Sequence, residues 1–173
     1  MTDEDIIAIR TFFPEWHRDL KPQRAALLSP RQEKNIISEC MPITNIEVST
    51  IRDWNLNSPN NKRWDLCIAA SVLMYCADPS LWFENIFKSC DTIWMVDHID
   101  RDRGKNQLGG DGDAMRYQFL PHVISSFPNA FDISSAGEVT KMYTYVNPVT
   151  GSTFNPDLQN LSIIAEIKNV NQN

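Results

Sequence analysis

Residues 64–99 read WDLCIAASVLMYCADPSLWFENIFKSCDTIWMVDHI. From Trp64 to Tyr75 the run is almost continuously apolar, as a strand must be when helices cover both of its faces. Asp78 is placed to cap a helix that begins at Pro79, and Trp82, Phe83, Ile86 and Phe87 then fall on one apolar stripe. Asp91 to Ile99 is a second buried run. Strand, helix and strand within about 35 residues is the length of one parallel βαβ unit.

Outward from this unit the pattern is less regular. Thr2 to Leu20 opens with a capping residue and acidic side chains, then sets Ile6, Ile9, Phe13, Trp16 and Leu20 at helical spacing. Pro14 interrupts that helix, so either it kinks there or two short helices meet. Pro22 can start a further short helix through Leu28, ended by Ser29 and Pro30. Asn35 to Cys40 and Ile46 to Ile51 are β-prone runs joined by the turn-rich Met41–Asn45, and both are strand candidates. Residues 55–62 are polar and rich in Asn, as in a surface loop. Beyond the unit, Met115, Phe119, Val123 and Phe127 predict a helix over Asp113–Phe127, complicated by Pro121. Glu138–Val146 and Leu158–Ile167 alternate apolar and polar residues around NPVTGSTFNP, an antiparallel hairpin.

Composition narrows the function classes. With 173 residues and 42% hydrophobic, the chain can bury a core without disulfides or metal. Its 16 basic and 22 acidic side chains leave a net charge of −6 with no block of one sign, so no nucleic-acid partner is expected. Cys40, Cys67, Cys76 and Cys90 show no paired spacing and read as reduced core thiols. An acidic N-terminus and no apolar run near ~18 residues predict a cytoplasmic protein with no membrane segment.

A buried strand opened by an aromatic-Asp pair, a helix after Asp-Pro, another buried strand, a helix and a closing antiparallel hairpin together resemble class I S-adenosylmethionine-dependent methyltransferases. The resemblance covers residues 46–167 in arrangement and 64–99 in residue detail. It implies an α/β fold, a mostly parallel Rossmann-like sheet flanked by helices with a C-terminal antiparallel hairpin. One domain over residues 1–173 is expected, with an N-terminal helical segment (1–30) and the sheet with its helices (31–168). Family members carry a Gly-rich turn after the first strand and an acidic residue closing the second. Here all six glycines, Gly104, Gly109, Gly110, Gly112, Gly137 and Gly151, come late. With only about 40 residues ahead of Ile46 where two βα units should stand, the cofactor-binding half is expected to be missing, shortened or replaced.

Ligands of open parallel sheets sit beyond the C-terminal strand ends. That rule selects Asp53, Ser71, Tyr75, Asp97 and His98, which a single cleft could gather. Asp97 can accept a proton or hold a hydroxyl, and His98 titrates in the range of a general base; capping the strand is the alternative role for both. Trp54, next to Asp53, can line a pocket. By the resemblance, Asp53 with Trp54 would lie on the adenine or ribose side, Ser71 to Tyr75 along the transfer site, and His98 would be the base. The loop DRDRGKNQLGGDGDAMRY mixes carboxylates with arginines and lacks EF-hand spacing, so no metal site is expected. Arg116 is available there to a substrate carboxylate or phosphate. His17 and His122 have no partner nearby in sequence. The activity implied is methyl transfer from S-adenosylmethionine to a small molecule. Its rival is an inactive methyltransferase-like module that binds or scaffolds a partner subunit or a second copy, docking through the apolar N-terminal helix.

Overall fold

The computed structural model describes residues 3–28, 34–42, 45–49, 63–70, 79–99, 137–146 and 161–170. In chain order the elements are α1 (Asp3–Leu20), β1 (Arg24–Leu28), α2 (Lys34–Cys40), β2 (Asn45–Ser49), β3 (Trp64–Ala70), α3 (Pro79–Phe87), β4 (Cys90–Ile99), β5 (Gly137–Val146) and β6 (Leu161–Asn169). The strands form one sheet in the order β2-β1-β3-β4-β6-β5. β1 to β4 are mutually parallel, and β6 runs antiparallel between β4 and β5. This is a doubly wound order, 2-1-4-5 in the usual strand count, closed by an antiparallel pair.

Alternation along the strands builds a core on each side of the sheet. Ala8, Ile9, Phe13 and Trp16 of α1, with Ile37 of α2, pack on Leu27, Leu66, Ile68, Trp94, Val96 and Ile164. On the opposite face Cys67, Ala69, Ile93, Met95 and Ala165 are buried as well. Phe87 of α3 lies there so close to Gly137 that a Cβ on Gly137 would meet its ring at 2.6 Å. Asn169 Nδ2 donates to the Phe87 carbonyl at 2.9 Å, tying the end of α3 to the end of β6.

The lower edge, where β1 and β3 begin, is fastened by polar contacts. The Asp65 carboxylate accepts from the Gln23 and Arg24 backbone N–H groups at 2.8 and 3.1 Å. Arg24 also donates to the Arg63 carbonyl at 3.2 Å, and Arg63 pairs with Asp91. α1 stops just before this edge. Lys21 has a left-handed φ of 50° and returns its N–H to the His17 carbonyl at 2.9 Å, the usual way to turn a chain out of a helix.

The β3–α3–β4 unit and the closing hairpin match the expectation, with α3 starting at Pro79. Two expectations near the N-terminus are overturned. Pro22–Leu28 is not a helix: RAALL is β1, paired on both sides, with Ala25 to Leu28 fully buried between β2 and β3. Ala and Leu are strong helix formers, but burial in a central strand overrides that propensity. Asn35–Cys40 is not a strand but lies in α2, whose sheet-facing Ile37 anchors a segment otherwise exposed or half-buried. Arg24–Ser49 therefore holds a complete β-α-β unit, so of the three alternatives for this half, missing, shortened or replaced, the structure shows the shortened one. Pro14 lies inside one continuous helix. The predicted helix over 113–127 falls outside the described residues.

Candidate functional site

Because β1 to β4 are parallel, Leu28, Ser49, Ala70 and Ile99 all end at one edge. That edge is where loops and ligands meet in open α/β sheets. α1 and α2 pack on one face of the sheet and α3 on the other.

Of the residues selected from sequence, Asp97 and His98 lie in the last turns of the β4 ladder. Asp97 is in register with Ile163 and His98 with Ser162 of β6, and pairing continues to Ile99–Leu161. In an unbroken ladder consecutive positions belong to opposite faces. The His98 position is thus on the α1 side with Trp94 and Val96, and the Asp97 position on the α3 side with Ile93 and Met95. The two do not share a face, so a single pocket would have to reach round the strand end to use both. Asp53, Trp54, Ser71, Tyr75 and Arg116 lie outside the described residues. In sequence, Ser71 directly follows the end of β3, and Asp53 comes four residues after the end of β2, 53 − 49.

One carboxylate at this end escaped the sequence reading. Asp5, in the first turn of α1, is 0% exposed. It sits three and four residues before Ala8 and Ile9, so it continues the sheet-facing stripe that Phe13 and Trp16 carry further down. The signal was that spacing; acidic residues at a helix start are so common as favourable charges near the dipole that it passes unnoticed.

Other polar clusters serve the fold. Glu166, 3% exposed, accepts from Trp94 Nε1 at 2.9 Å and Thr140 Oγ1 at 2.8 Å, with Lys141 Nζ at 3.9 Å. Burial pushes the Cys90 thiol well above its ordinary value, and the neighbouring Cys67 thiol adds to the effect. Among the described residues no three His, Cys, Asp or Glu side chains gather as a metal site, and no helix is long and apolar enough to cross a membrane.

No protein-family model and no curated relative matches the chain. Solved structures do. The N-methyltransferase NodS from Bradyrhizobium japonicum WM9 aligns over 98% of this chain and 99% of its own with a TM-score of 0.55 at 12% identity. The plantazolicin methyltransferase BpumL in complex with SAH aligns over 95% and 84%, with a TM-score of 0.53 and 12% identity. The methyltransferase domain of bacterial CtHen1-C aligns over 92% and 95%, with a TM-score of 0.54 and 6% identity. With the strand order and the antiparallel closing pair, these likenesses give the chain a class I methyltransferase-like, Rossmann-like α/β fold.

Proposed function

We propose that the protein transfers a methyl group from S-adenosylmethionine to a small-molecule acceptor. The observation that carries this reading is the shortened but complete β1-α2-β2 unit beside β3 and β4, which sets four parallel strand ends at one edge. Similar proteins of this fold hold the demethylated product, S-adenosylhomocysteine. The nucleoside would lie beyond the adjacent ends of β1 and β2, where Asp53 with Trp54 after β2 would hold the ribose and adenine. Ser71 and Tyr75 after β3 would line the transfer site, and Arg116 would take a carboxylate or phosphate of the acceptor. When bound, the cofactor supplies an electrophilic methyl group. The task left to the chain is mainly to position the acceptor. His98, at the end of β4, takes the proton that the acceptor's oxygen or nitrogen loses as it gains the methyl group. Asp97, on the other face, would hold a hydroxyl of an acceptor that reaches round the end of β4.

One feature favours a second reading. The five residues joining β1 to α2, Ser29–Glu33, are SPRQE, without the glycine that lets backbone approach a ligand closely. An inactive module that pairs with a partner subunit or a second copy would have no need of that glycine. Calorimetric titration with S-adenosylmethionine and S-adenosylhomocysteine separates the two. Micromolar binding, weakened at least tenfold in Asp53→Asn, upholds the enzyme reading; no heat at millimolar ligand overturns it and leaves the partner-binding module.

A further inference from the structure

Three oxidisable rings stand in line from the middle of the sheet to the surface. Trp94 is fully buried on the α1 face of β4, and its ring centroid is 5.6 Å from that of Trp16, itself 2% exposed. Trp16 is in turn 6.4 Å from Tyr143 of β5, which is 45% exposed and stacked on Phe12. At such separations ring edges meet, and an electron tunnels from one ring to the next faster than a radical reacts with a solute. The inner end also has a proton acceptor. An indole that loses an electron becomes a strong acid at its nitrogen, and a positive ring inside the core would be costly. Trp94 Nε1 already donates to the Glu166 carboxylate at 2.9 Å, and Glu166 is itself buried. The proton can move along this bond and leave a neutral ring beside a neutral acid. At Trp16 the opposite holds, because the Lys141 ammonium stands 5.4 Å from the ring centroid and repels a lasting positive charge there. A missing electron therefore passes through Trp16 without staying. Tyr143, at the surface, can release its phenolic proton to water. At neutral pH a solvated tyrosine is easier to oxidise than a tryptophan, so the direction is outward.

We propose that Trp94, Trp16 and Tyr143 form a relay that carries oxidising equivalents out of the core, independently of methyl transfer. The oxidant it serves is a one-electron radical of the peroxyl class at the edge where the parallel strands end. Trp94 lies five residues before the last residue of β4, Ile99, about 17 Å along the strand. The radical takes one electron from Trp94 and is reduced to the peroxide, while the indole proton moves to Glu166. Trp16 then gives an electron to Trp94, and Glu166 returns the proton. Tyr143 gives an electron to Trp16 and its phenolic proton to water. In sum the oxidant gains one electron, and Tyr143 loses one electron and one proton to become a tyrosyl radical.

Laser photoionisation of the whole protein under nitrous oxide tests this without any ligand, since light removes electrons from buried and exposed tryptophans alike. The tryptophanyl and tyrosyl radicals are followed by their separate absorption bands. In the wild-type protein a fast phase, independent of protein concentration, should convert tryptophanyl into tyrosyl radical. Tyr143→Phe, a change at an exposed ring that keeps the stack on Phe12, should abolish that phase. Trp16→Phe, which keeps an aromatic ring but not an oxidisable one, should slow it by about tenfold. Tyr145→Phe, two residues along the same strand, should leave it in place. A fast phase of full amplitude in Tyr143→Phe overturns the relay, as does its loss in Tyr145→Phe or an unchanged rate in Trp16→Phe. Should Trp16→Phe not fold, the two tyrosine variants still decide whether Tyr143 is the outlet. Calorimetry with S-adenosylmethionine decides the methyl-transfer reading separately, so the two ideas fail by different measurements.

Discussion

Trp94 and Glu166 face each other across the β4–β6 ladder, and the indole Nε1 donates to the buried carboxylate at 2.9 Å. The same carboxylate accepts from Thr140 of β5 at 2.8 Å. One acidic side chain thus ties three strands together beneath α1, whose Trp16 and Phe13 lie on the Trp94 ring. Lys141 closes the cluster from the edge strand, 5.4 Å from the Trp16 ring centroid and 3.7 Å from Asp19 of α1.

Removing that carboxylate should be more damaging than removing any surface charge. Glu166→Leu leaves the buried Trp94 N–H without its acceptor, at about 1–3 kcal/mol, while the Thr140 hydroxyl, on an exposed residue, keeps the backbone carbonyl of residue 166 at 3.3 Å. Glu166→Gln keeps one acceptor oxygen and should cost less than half as much. Urea unfolding of both variants checks the order. Equal midpoints for the two would mean that the charge on Glu166, and not its hydrogen bonds, holds the strands together.

Gly137 opens β5 directly under the Phe87 ring, and a Cβ there would also meet Ile167 Cγ2 at 2.8 Å. Gly137→Ala should destabilise by about 1–3 kcal/mol, the usual cost of overpacking. Phe87→Leu makes room for the methyl. The double variant should therefore lose clearly less than the sum of the two single losses, and additive losses would show that the contact does not cause the strain.

These tight spots explain which parts of the fold could be read in advance. The run from Trp64 to Ile99 announces itself because β3 and β4 are buried on both faces and α3 begins at a proline. β1 does not: its five residues are Ala and Leu rich, and only their place between two strands makes them extended. α2 is equally opaque, since Ile36 and Ile37 side by side look like strand, while in the helix Ile37 is fully buried and Ile36 packs only partly against the core. At the edge where the parallel strands end, the strand-end rule selected Asp97 and His98 from sequence. It could not tell that Asp97 falls on the other face, because that depends on the β6 register, nor that Asp5 is buried, because that depends on how α1 crosses the sheet.

The thiols offer a test of the core that depends on pH. Cys67 and Cys90 are fully buried, while Cys40 is only partly so, and burial raises the Cys90 and Cys40 thiols above their ordinary value of 9.0. Below that value both folded and unfolded chains keep the proton, and stability is unaffected. Above it the unfolded chain releases the Cys90 proton while the folded chain retains it, so unfolding becomes easier as pH rises. Unfolding midpoints should hold steady from pH 7 to about 8.5 and then decline, and Cys90→Ala should flatten part of that decline. At neutral pH an aromatic disulfide reagent should label Cys40 slowly and leave Cys67 and Cys90 untouched until urea is added. Rapid native labelling of Cys90, located by peptide mass, would show that the α3 side of the sheet opens far more readily than its packing against Phe87 and Gly137 implies.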